Sequence, residues 1–279
     1  MQANKSPSID CRRKNHPPAA LCLAMTGLFT LMGLAARGWD SQGVSEIKLS
    51  VEDPRPVVKA IETLESKYGW VITYEDPRYV NDSEIADTNL KIRKDPDNSK
   101  SSEITKVLVP RGGALEFIYD VAPDTKLPAD PAMVVQKLLD AQAARGNGGR
   151  FRLETNGQIM HVIPTAIKNS AGELVHQESA LDTLISLPSG ERTVLQKLES
   201  ICAAISRAIN IPVILGAIPD HWFHQFQDQR GAENQRARDI LVNTFETIGH
   251  GTDLSWWLYY SPTDKRYLLH IHFVSKRNG

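Results

Sequence analysis

The chain has 279 residues, with 32 Lys or Arg against 33 Asp or Glu, and three cysteines. No basic stripe interleaved with aromatics accompanies that near-neutral balance, so a nucleic-acid role has no electrostatic footing. The length can bury a sizeable core as one domain or two.

The first residues read as an address. Arg12, Arg13 and Lys14 form a basic cluster, and an uncharged, mostly apolar run follows over residues 17–36. Basic flank, apolar centre and small residues at the far end predict a secretory signal over residues 1–35. Gly33-Leu34-Ala35 places cleavage after Ala35. The alternative is a retained anchor in the inner membrane, although the run only reaches the lower end of the ~17–25 residues that span a bilayer. Either way the expected location is periplasmic or secreted, with membrane contact through this segment alone. Of Cys11, Cys22 and Cys202 only the last survives such processing, so an internal disulfide is excluded.

In Ser45–Val51, Ile47, Leu49 and Val51 alternate with polar residues, the period of a half-buried strand. Val57, Ile61, Leu64 and Tyr68 then recur at helical spacing up to Gly69, a natural left-handed stop. Trp70–Tyr74 reads as a strand. Residues 75–103 carry few apolar side chains and read as a long polar, solvated insertion. Strands are expected at Thr105–Val109 and Leu115–Val121, with Arg111-Gly112-Gly113 as a hairpin turn between them. Asp130 before Pro131 is an N-cap signal for a helix that Gly146 ends. Asn156-Gly157 joins two further strands in the strongest hairpin signal of the chain.

Residues 166–180 read as a linker, after which Leu181–Leu187 opens a second unit. Val194, Leu198, Ile201, Ile205 and Ile209 form the stripe of a second amphipathic helix. Cys202 lies mid-helix among apolar neighbours and reads as a packed, inert thiol. Asn210 takes the place that Gly69 takes upstream, and Val213–Leu215 is the strand that follows. A helix over Ala237–Ile248 and strands over Leu254–Tyr260 and Tyr267–Val274 complete the chain. Each unit thus reads β–α–β, then β–α–β–β, which predicts an α+β fold of two tandem β-α-β-β-α-β-β modules. Their helices would pack on small mixed or antiparallel sheets.

This order, with helix–strand passages such as Trp70–Pro77 (WVITYEDP) and Ile211–Pro219 (IPVILGAIP), resembles the short N-terminal domain shared by secretins and TonB-dependent receptors, the STN domain. One copy would span residues 45–165 and the other 181–275. The resemblance implies a non-catalytic protein–protein interaction module of the cell envelope, without a cofactor. Its partner would be another envelope protein or a second copy of the chain.

Two aromatic runs are the candidate contact residues. Trp257 and Tyr259 share one face of a strand, and Trp222 and Phe223 stand in an otherwise loop-like region. His270 and His272 also share a strand face, and His221 and His224 carry further imidazoles. They support the alternative expectation of an exported metal-binding protein or metal-dependent hydrolase. The plainer reading is polar alternation opposite Leu269, Ile271 and Phe273. No HExxH, GxSxG, phosphate-loop or dinucleotide motif occurs.

Overall fold

The structure, a computed structural model, describes residues 45–90, 105–249 and 253–275. The expected signal or anchor, and residues 91–103 at the end of the 75–103 insertion, lie outside the described residues. No helix among the described residues is long and apolar enough to cross a membrane.

Strand β1 (Ser45–Asp53) lies antiparallel to β5 (Gly113–Val121) in a two-stranded ribbon. Helix α1 (Pro56–Tyr68) buries Val57, Ala60, Ile61 and Leu64 and ends at Gly69, whose φ is 70°. Strand β2 (Val71–Glu75) follows. Strands β3 (Ile85–Asp87) and β4 (Leu108–Pro110) pair with each other. Helix α2 (Pro131–Ala144) starts from Asp130, whose carboxylate accepts the N–H groups of Ala132 and Met133. Strands β6 (Arg150–Asn156) and β7 (Ile159–Lys168) form the hairpin around Gly157.

The second half starts with β9 (Leu184–Leu187) and α3 (Val194–Ile209). Thr193 and Gln196 close a capping box at the start of α3, and Asn210 ends it with φ 53°. Then come β10 (Val213–Leu215), the single turn α4 (Asp220–Phe223), β11 (Ala232–Arg236) and α5 (Ala237–Thr247). Strands β12 (Leu254–Ser261) and β13 (Arg266–Phe273) form the last hairpin.

The fold is α+β, and the pairing scheme of the first half recurs in the second. β1 pairs antiparallel with β5, as β9 does with β11. β2 runs parallel to β7, which is antiparallel to β6; β10 runs parallel to β13, which is antiparallel to β12. The two blocks join edge to edge, β12 parallel to β2, into one sheet of order β10-β13-β12-β2-β7-β6. β2 therefore runs opposite to β10, its counterpart. One block is related to the other by a half-turn about a line crossing the strands, and the half-turn sends their helices to opposite faces. α1 and α2 pack with Ile72, Tyr74, Met160 and Val162 on one face. α3 and α5 pack with Trp256, Leu258 and Leu269 on the other, where Val71 and Ile159 of the first block join them.

Four sequence expectations need correction. Residues 166–180 are not a linker: β7 runs on to Lys168 and β8 (Leu174–His176) folds back on it. A 3₁₀ turn at Ala180–Asp182 then buries Leu181, so β9 begins three residues later than expected. The 75–103 insertion does not open in solvent, because Glu75, Asp76, Tyr79, Asn81 and Glu84 are buried against partners far along the chain. The hairpin at Arg111–Gly113 does not form, since β4 and β5 each pair elsewhere. β11 has no counterpart among the expected strands, because Ala232–Arg236 lacks the apolar alternation that marks one.

Candidate functional site

The half-turn leaves part of the second block's sheet uncovered on the face away from α3 and α5. Trp257 and Tyr259 of β12 point there, as do His270 and His272 of β13, because alternate residues of a strand share a face. The rings form a continuous surface. Trp257 lies 4.2 Å from the His272 ring, Tyr259 lies 5.0 Å from the His270 ring, and Trp257 and Tyr259 stack at 5.9 Å. Together with Ala217–Pro219 and Phe273 they line a shallow groove of about 390 Å³.

Helix α1 of the first block overhangs one side of this surface. The Arg55 guanidinium sits 4.6 Å over the Tyr259 ring and donates to Asp76 at 2.7 Å and to the Tyr260 carbonyl at 2.9 Å. Asp76, fully buried, also accepts the Tyr74 hydroxyl and the Tyr260 N–H. Burial raises its pKa, against the pull of Arg55. Glu65 of α1 accepts the Ile72 N–H at 3.1 Å, and its other oxygen lies 2.9 Å from His272 Nε2.

The two histidines are thus held by different groups. His270 Nδ1 accepts the Ala217 N–H at 3.1 Å, so the neutral ring carries its proton on Nε2. Burial, then Arg55 and His272, push its pKa below the usual histidine value. His270 Nε2 faces Gly216, where a Cβ would lie 2.7 Å away. His221 and His224 are exposed at α4 and do not join them. Among the described residues no three His, Cys, Asp or Glu side chains come together as a set that could hold a metal ion.

Of the four aromatic candidates, the structure brings Trp257 and Tyr259 together on the open face. Trp222 is half-buried at the far end, 5.1 Å from the Phe273 ring and 4.5 Å from Phe226. Phe223 is a correction: it is 0% exposed and stacks on Phe245, because the single turn of α4 aims it into the core under α3. Arg55, Glu65 and Gly216 were missed. Arg55 reaches Tyr260 across 205 residues and Glu65 reaches His272 across 207, while Gly216 abuts the ring of His270 on β13, and no local pattern marks these meetings. No protein-family model matches the chain, nor does any curated protein or solved structure.

Proposed function

We propose that the chain is a non-catalytic protein-interaction module of the cell envelope, built from two STN-like copies and exported by its N-terminal segment. The carrying observation is the open aromatic face of β12 and β13. Trp257 and Tyr259, half-buried, offer aromatic contact area there on a rigid sheet, with the groove beside them. Aromatic side chains lose little conformational entropy on contact and dominate binding energy at protein interfaces. Export is supported by the basic cluster at Arg12–Lys14 and the apolar run behind it.

A photo-crosslinking residue placed at Leu268, half-buried on the open face, tests the reading in the native envelope. A discrete protein adduct is expected, lost when Tyr259→Ser is added. An adduct that survives Tyr259→Ser, or none at all, rejects this face as the contact surface. Stoichiometric zinc in the purified protein, lost in His270→Ala/His272→Ala, would replace the reading with the metal-binding one.

A further inference from the structure

The internal joint between the blocks leaves two matching ends unfilled. In that joint the third strand of one block, β12, pairs with the first strand of the other, β2. At the ends of the sheet stand β10, a first strand, and β6, a third strand, each paired on one side only among the described residues. We propose that the chain docks head to tail on a second copy of itself, its β10 edge adding in parallel to β6 of the next. This rests on the interaction-module reading and names the partner at the same open face.

The residue correspondence between the blocks fixes what such a joint contains. Gly69 and Asn210 are the left-handed ends of α1 and α3. Three residues on, the Ile72 N–H is accepted by Glu65 and the Val213 N–H by Ser206, each donated back to the same helix position. Ile72 then pairs with Met160 and Val213 with Tyr267. The buried pairs Val134-Val135 of α2 and Ile240-Leu241 of α5 correspond likewise.

Inside the molecule α5 overhangs β2, and its Arg238 reaches Glu75. An incoming copy joined in the same way lays its α2 over β10 and β13, on the face away from α3. That face is the open groove. The α2 positions that correspond to buried Arg238 and Val242 are Ala132, half-buried, and Gln136, exposed. The receiving surface shows Ile214, 40% exposed, where the corresponding Thr73 is fully buried under the other block. A strand edge and a helix at fixed offset must be met together, and the chain itself carries that pair at β6 and α2. The contact joins unlike surfaces, so it propagates rather than closing as a two-fold dimer.

One donor is held back. In the internal joint the Asp76 N–H bonds the Leu258 carbonyl. Its counterpart, the Ala217 N–H, is held by His270 Nδ1. The clamp that Asp76 makes on the Tyr260 N–H also has no equivalent at Ala217. The intermolecular joint is therefore weaker than the internal one and reversible, and removing the imidazole strengthens it.

Analytical ultracentrifugation of the full chain in detergent tests this, with circular dichroism confirming that each variant is folded. The wild type should form species beyond the monomer as concentration rises. Ile214→Asp and Gln136→Arg should each be monomeric alone, and mixed they should form a dimer, since each retains the end the other lacks. His270→Ala should associate at about tenfold lower concentration. A dimer that either variant abolishes and mixing does not restore overturns the head-to-tail joint. Monomers throughout, His270→Ala included, overturn self-docking; the Leu268 crosslink then decides separately whether the interaction reading stands.

Discussion

Glu75 and Arg238 stand 163 residues apart in the chain and meet at 3.1 Å, their side chains 0% and 1% exposed. Glu75 ends β2 of the first half and Arg238 begins α5 of the second, so this ion pair pins one half to the other. The Ser179 hydroxyl and the Ala180 N–H also donate to the carboxylate, each at 2.6 Å.

Arg238→Ala leaves Glu75 buried without its counter-ion and should cost about 3–5 kcal/mol, read as a fall in the urea midpoint. Burial already raises the pKa of Glu75 against the pull of Arg238. The double variant Glu75→Gln/Arg238→Met should recover much of the loss, because it removes both charges. A double variant as unstable as Arg238→Ala would mean that packing volume, not charge, is what matters there.

His161 should make the fold acid-sensitive. It is buried beside the Trp256 ring with Nδ1 2.7 Å from the Thr73 hydroxyl, and burial, then Arg238, lower its pKa to about 3. The unfolded chain takes up this proton near pH 6.5 and the folded chain only near pH 3. Its share of stability is therefore complete above pH 6.5 and drains away as the pH falls toward 3. The slope approaches about 1.4 kcal/mol per pH unit. Comparing unfolding of His161→Gln with the wild type across pH 3–7 should show the gap between them narrowing toward acid. A constant gap would mean that His161 does not titrate differently in the two states.

What local pattern shows and what it hides divide cleanly at these residues. The alternation of Ile47, Leu49 and Val51, the stops at Gly69 and Asn210, and the Asp130 cap are signals within a few residues, and each stands in the structure. Glu75 and Asp76 look like the start of a solvated loop because the arginines that bury them come from distant segments. Trp257 and Tyr259 alternate visibly, yet which face stays open depends on the half-turn between the blocks, which no single stretch encodes. The edge pairing of β12 with β2 has two registered residue pairs and leaves no mark on composition.

Cys202 should be chemically silent. It is buried in α3, and burial pushes its thiol up to about 12. In a variant with Cys11 and Cys22 replaced by serine, Ellman's reagent should report no thiol in the native protein and one after denaturation. Rapid native labelling would show that α3 opens to solvent.

Two glycines should differ sharply in tolerance. A Cβ at Gly112 would run into the backbone carbonyls of Asp53 and Pro54, which cannot swing aside, so Gly112→Ala should cost more than about 4 kcal/mol. At Gly216 the obstacle is the His270 ring at 2.7 Å, a side chain that can rotate at the loss of its bond to Ala217. Gly216→Ala should cost about 1–3 kcal/mol, and His270→Ala should relieve it. Equal losses at the two sites in thermal unfolding would contradict the distinction.

The half-turn between the blocks also governs how the molecule comes apart. Each block's sheet is walled on one side by its own helices and, along the join, on the other side by a helix from its sibling. Neither block can melt without stripping cover from the other, so calorimetry should record a single heat-absorption peak despite the duplicated plan. A half expressed alone would bare Thr73, Glu75 and His161 to water, two polar side chains and a carboxylate sized for an arginine it no longer has. The duplication is a repeat in plan but not in independence: the chain has one melting unit, and its two halves are each other's solvent shield.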